Sequence, residues 1–222
     1  MSLILFLVSI LITGYAQFKV HSEIKKASKV TSSNNLTGQE IAAKILQSNG
    51  IHNVEIVMGK SSHSDYYDSK NKVLSLSPEV FKHSSIAACA ISAHECGHAL
   101  QDKENYSYLT LRQNLYPLVS FSSYVAPLLI MAGFFFSSVS ALKIGILFFS
   151  VSLFFTLITL PVEFDASKRA MAILDSQGFI NSTSEHSQTK KVLDAAALTY
   201  VAAFITSLLE LIRLILIANS QD

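Results

Sequence analysis

Four apolar blocks, residues 3–15, 115–136, 141–160 and 195–218, constrain this chain more than any other feature. The last three each run about 20 residues or more, enough as helices to cross a ~30 Å hydrocarbon layer. The first reaches that length only with Gln17 and Phe18 at its end. Half of the 222 residues are hydrophobic and 15% are charged, with a mean hydropathy of +0.39, so an ordinary soluble domain is excluded. We expect the first block to be a retained anchor rather than a secretory signal, because no Lys or Arg precedes it. Pro117, Pro127 and Pro161 fall at or inside the blocks, where neighbouring helices can satisfy the freed backbone groups.

Charge orients the blocks. Of 17 Lys and Arg residues, all but Lys143 and Arg213 fall in 19–112 and 168–191. Lys19, Lys25, Lys26 and Lys29 crowd the exit of the first block and mark that side as cytoplasmic. If all four blocks span, the N-terminus lies outside and both polar stretches share the cytoplasmic side. The expected organisation is an anchor (1–18), a cytoplasmic region (19–114), two central spans (115–160), a second cytoplasmic segment (161–194) and a last span (195–218). A formal net charge of +1 leaves no basic field to hold nucleic acid, so none is expected as a partner. Glu210 and Arg213 stand at i, i+3 in the last block, where pairing lowers the cost of burying either in lipid.

The polar stretches carry soluble-type signals. Residues 31–37 are loop-like, and Thr37-Gly38-Gln39-Glu40 reads as a capping box opening a helix with Ile41, Ile45 and Leu46 inward. Asn49-Gly50 closes it. Residues 54–57 and 73–76 read as short strands joined by a polar segment, and Ser77-Pro78-Glu79 as a helix start. A further helix is expected from about Ser84 through Leu100. Cys89 and Cys96 lie seven positions apart on it, roughly 10 Å along the axis, beyond disulfide reach.

That helix carries His94-Glu95-Cys96-Gly97-His98, an H-E-x-x-H match. The i, i+4 spacing projects both imidazoles from one face, where they can hold a single Zn²⁺. Glu95 points beside the metal, as a general base on metal-activated water requires. Shuffling this composition produces the motif in about one chain in a hundred. Gly97 leaves room for another backbone to approach, and the run Ala87-Ala88-Cys89-Ala90 suits a helix packed on several sides. His21, His52, His63, His83 and His186 have no partner at metal spacing and read as surface residues.

A catalytic zinc usually takes three protein ligands. The best candidate for the third is Glu163, just after the third block and on the same expected side as the histidines. On a helix starting at Pro161, Glu163, Ala166, Ser167 and Ala170 share a face, and the small residues permit close packing. Asp165 competes as ligand or as a partner orienting a histidine. Tyr106, Tyr108 and Arg169 are candidates for stabilising an oxyanion. Residues 73–76 could form an edge strand binding extended peptide, or an ordinary structural strand.

Leu74-Ser75-Leu76-Ser77-Pro78-Glu79-Val80, the His94–His98 motif, Leu160-Pro161-Val162-Glu163-Phe164-Asp165-Ala166-Ser167 and Ala195-Ala196-Ala197-Leu198-Thr199-Tyr200-Val201-Ala202 together resemble the YugP-like family of bacterial membrane zinc metallopeptidases. The resemblance covers nearly the whole chain. It implies a multi-pass membrane zinc peptidase with His94, His98 and Glu163 as ligands and Glu95 as catalytic base. More distantly, the chain resembles the HtpX-type membrane gluzincins, which pair H-E-x-x-H with E-x-x-A-D; Ser167 stands where that pattern has Asp.

The expectation is therefore a mainly α integral membrane protein with about four transmembrane helices and a small cytoplasmic α+β zincin-like catalytic region. Its function would be zinc-dependent cleavage of peptide or protein substrates, unfolded or membrane-associated, at the cell membrane. Two alternatives stay open. A site-2-type intramembrane protease would place the motif inside the bilayer, against which stand the flanking Lys82 and Gln101-Asp102-Lys103 and the absence of Leu-Asp-Gly. A purely structural zinc would call for a fourth protein ligand.

Overall fold

A computed structural model describes residues 2–62 and 64–220; His63 lies outside them. In chain order the elements are α1 (Ser2–Ala27), α2 (Gly38–Ser48), β1 (Glu55–Met58), β2 (Tyr66–Asp68), β3 (Val73–Leu76), α3 (Pro78–Lys82), α4 (Ile86–Lys103), α5 (Ser107–Phe135), α6 (Val139–Ser176) and α7 (Thr183–Asn219). The architecture is mostly helical with one small sheet. α1, α5, α6 and α7 are each long and apolar enough to cross a membrane. The chain forms two compact units: Met1–Gln17, Thr110–Pro161 and Thr199–Asp222 make the first, and Phe18–Leu109 with Val162–Leu198 the second.

The first unit consists of apolar helix. Gly133 lets α5 and α6 approach closely, since a Cβ there would stand 2.9 Å from the Leu142 backbone nitrogen; small residues serve this purpose where helices pack in lipid. The Phe121 and Phe148 rings meet edge-on at 5.9 Å. Arg213 pairs with Glu210, its Nε 2.8 Å from Oε2, as their i, i+3 spacing predicts. Pro117 and Pro127 lie within α5. Pro161 lies within α6, which runs unbroken from Val139 to Ser176. The expected helix start at Pro161 is thus corrected: proline forfeits one backbone bond, but helix on both sides carries the chain through.

The second unit is built like a soluble domain. Thr37 and Glu40 form the expected capping box at α2, and Gly50 adopts φ +64° just after that helix. Ile41, Ile45, Leu74, Leu76, Ala93 and Ala170 are all fully buried. α4 is capped by Ser85, whose Oγ accepts from the Ala88 amide at 3.1 Å. Its small residues Ala87, Ala88, Cys89, Ala90, Ala93 and Cys96 are buried around the helix, the pattern of a helix enclosed on all sides. Both cysteines are free.

The sheet settles one open alternative and corrects one reading. The sheet order is β1-β3-β2, with β1 parallel and β2 antiparallel to β3. β3 is therefore the central strand and offers no edge to a peptide. Its sequence fits that place, because Leu74, Ser75 and Leu76 are buried on both faces. β2 arises within the segment read as a polar connection; paired with β3 and bonded from the Tyr67 hydroxyl to Asp102 at 2.7 Å, it draws its order from tertiary contacts.

Candidate metal centre

Helical periodicity places His94 and His98 on one face of α4, their ring centroids 4.8 Å apart and nearly perpendicular. α6 brings Glu163 to them. The close approach depends on Gly97: a Cβ there would stand 2.6 Å from the Ala166 carbonyl oxygen. Ala166 and Ala170 are fully buried on the same side of α6 and Glu163 is 2% exposed, so the face inferred for this helix is the one turned inward.

Glu163 Oε2 lies 3.3 Å from His94 Nε2 and 3.5 Å from His98 Nε2. These separations are long for charge-assisted hydrogen bonds. They match the edge of a tetrahedron around one zinc, about 3.3–3.5 Å for bonds of 2.0–2.2 Å. His94, His98 and Glu163, with candidate ligand atoms all within 4.8 Å of one another, could hold a metal ion. The donor set of two imidazoles and a carboxylate suits zinc.

The outer nitrogens of both rings are engaged. His98 Nδ1 is 3.0 Å from Gln101 Oε1. Gln101 is fully buried, and its amide nitrogen donates to the Val162 carbonyl at 2.7 Å and to Asp165 Oδ2 at 2.9 Å. With both donors so used, the amide presents its oxygen to His98, which must carry its proton on Nδ1 and keep the Nε2 lone pair for a metal. His94 Nδ1 lies 3.2 Å from Ser167 Oγ. Ser167 thus contacts a histidine from the position where the more distant motif has Asp.

Glu95 is 8% exposed and accepts a hydrogen bond from the Tyr67 backbone N–H of β2. Burial raises its carboxyl to about 7; the neighbouring His94 opposes that rise, while Glu163 and Asp65 add to it. A carboxyl in this range can both accept and return a proton near neutral pH.

The remaining candidates are placed differently. Asp165 accepts from Gln101 and from Arg169, at 2.9 and 2.5 Å, so it bears on His98 through Gln101. Arg169 also binds Glu104 at 2.6 Å and lies over the Tyr106 ring, 5.9 Å from its centroid. Its guanidinium is thereby committed to two carboxylates. Tyr108 is exposed. Gln101 and the Tyr67 amide escaped the sequence reading. Gln101 carried a signal, since i+3 from His98 puts it beside that ring; the amide carried none.

The model of the family described as "Putative neutral zinc metallopeptidase" matches residues 2–219. The chain is 46% identical over 209 residues to "Putative membrane protease YugP" of Bacillus subtilis (strain 168), covering 94% of this chain and 92% of that protein. No solved structure matches. With a family match over almost its full length and a relative aligned over more than nine-tenths of both chains, the chain belongs to this family of neutral zinc metallopeptidases.

Proposed function

We propose that the chain is a membrane-bound zinc endopeptidase whose catalytic region, residues 19–114 and 161–194, is zincin-like and faces the cytoplasm. The observation that carries this reading is the convergence of His94, His98 and Glu163, their candidate ligand atoms within 4.8 Å of one another, with buried Glu95 adjacent in the chain. His94, His98 and Glu163 hold the metal. Zinc bound there supplies Lewis acidity, activating water and polarising the scissile carbonyl. Glu95 takes the proton from the attacking water and delivers it to the leaving amine. Gln101 and Ser167 orient the two imidazoles. β2 is an edge strand whose Tyr67 amide already reaches Glu95, so an extended substrate pairing beside it would lie along the base.

Among the described residues the candidate group comprises three ligands, which favours a catalytic over a structural zinc. The capped helix α4, buried among the α2 and sheet residues, favours a soluble-type catalytic region over an intramembrane one. The test is Glu95→Gln in the full chain, assaying cleavage of an unfolded protein together with zinc content. We expect activity to fall by about 10²–10⁴-fold with zinc retained. Unchanged cleavage with zinc in place would overturn the proposal.

A further inference from the structure

Lys19, Glu23 and Lys26 of α1 recur at i, i+4 and i+7, and Ser184, Ser187 and Lys191 of α7 at i, i+3 and i+7, so each set occupies one helical face. Both sets line a cavity of about 510 Å³ within the second unit, a volume in the range of small-molecule sites. Three of these six side chains are cationic and one is anionic. Glu23 is 7% exposed and accepts from Lys19 and Lys26, each at 3.1 Å. One buried carboxylate thus holds two ammonium groups, each with donors to spare. Lys191 has no ion-pair partner among the described residues. The serine hydroxyls add neutral donors in the first turns of α7, where the helix dipole also favours an anion. Glu185, the carboxylate of that first turn, accepts instead from the Ser33 and Asn181 backbone amides at 2.6 and 2.9 Å.

The place of the cavity in the chain selects its ligand. Lys19 directly follows Phe18, the end of the first apolar stretch, and Lys191 lies one helical turn before the last apolar block begins at Ala195. Both walls are therefore the polar ends of helices apolar enough to cross a membrane, at the level where lipid headgroups meet juxtamembrane cations. We propose that this cleft binds the headgroup of an anionic phospholipid, its phosphate held between Lys191 and the Lys19–Lys26 pair. The site uses none of the metal-centre residues and stands independently of the peptidase reading.

The test uses the full-length protein in mild detergent, measuring retained phosphatidylglycerol and phosphatidylcholine by native mass spectrometry, with inorganic phosphate as competitor. A cleft variant carries Lys19→Gln, Lys26→Gln and Lys191→Gln. A charge-matched control carries Lys25→Gln, Lys29→Gln and Lys190→Gln, which do not line the cavity. We expect phosphatidylglycerol retention to fall about tenfold or more in the cleft variant, to stay within about twofold in the control, and to resist phosphate at equal concentration. Lys191→Gln alone should lose about fivefold, and it decides the matter should the triple variant lose its zinc and so reveal misfolding. Equal loss in both triple variants, no loss in either Lys191→Gln or the cleft variant, equal retention of phosphatidylcholine, or displacement by free phosphate would each overturn the proposal.

Discussion

The two units of the molecule hide their apolar surface to opposite degrees. In the second, Leu74, Leu76, Ile41 and Ile45 are completely buried, and polar side chains such as Gln101 and Glu185 are bonded to named partners. In the first, Leu128 and Leu147 are each 66% exposed and Phe135 is 81% exposed. Water penalises such exposure and hydrocarbon does not. A helix meeting lipid can therefore leave its leucines outward and settle its contacts with small residues such as Gly133. Metal chemistry needs ligands aimed to within a fraction of an ångström, and packed polar networks supply that aim. The residues of the candidate metal centre accordingly all belong to the unit that obeys the rules of soluble domains.

This contrast can be broken most directly in the cores. Leu74→Ala in the second unit should cost about 2–5 kcal/mol of stability, whereas Leu128→Ala in the first, already exposed, should cost less than about 0.5 kcal/mol in detergent. Thermal or denaturant melts of the two variants compare them, and equal losses would erase the distinction. Next in size, Glu163→Gln should weaken zinc binding by more than about 100-fold, measured by chelator competition, because it removes a candidate ligand outright rather than an outer partner.

Glycine substitutions sharpen the comparison further. Gly97→Ala drives a Cβ to 2.6 Å from the Ala166 carbonyl oxygen and should cost about 1–3 kcal/mol. Gly14→Ala meets nothing within 4 Å and should be neutral or gain up to about 1 kcal/mol through helix propensity. Paired melting curves read the difference in sign. The smallest expected effect lies in the outer hydrogen bonds. Gln101→Ala should weaken zinc about tenfold with the fold retained, and Ser167→Ala by less, its 3.2 Å contact being the longer and its hydroxyl, unlike the Gln101 amide, not being held by further side-chain bonds. A larger effect from Ser167 than from Gln101 would reverse the order derived from their surroundings.

Legibility in the sequence followed the range of the interaction. The capping box at Thr37 and Glu40, the shared face of His94 and His98 and the Glu210–Arg213 pair involve residues within one turn of each other, and all three were readable. The inward face of Glu163, Ala166, Ser167 and Ala170 was readable too, although its helix was misread as beginning at Pro161. What decides that case is helix before and after the proline, which a local breaker signal does not report. β2 escaped because three residues, Tyr66-Tyr67-Asp68, are too few for periodicity to register against a polar background. Whether β3 is an edge or an interior strand stayed open for a related reason: the order of strands depends on which neighbours pair, and alternation within one strand carries no record of that.

By itself the sequence determined the four apolar helices, the facing imidazoles with their adjacent carboxylate, and the identity of the third candidate ligand, because helical period and apolar run length act along the chain. The tertiary structure alone decided that β3 lies between two partners, that Asp165 acts on Gln101, that Gln101 sets the proton of His98, and that two lysine-bearing faces enclose a cavity. Each of these links groups separated by up to about 170 positions. Such partners are chosen by packing and by the cost of leaving buried donors and acceptors unpaired, a balance that exists only once the chain has folded.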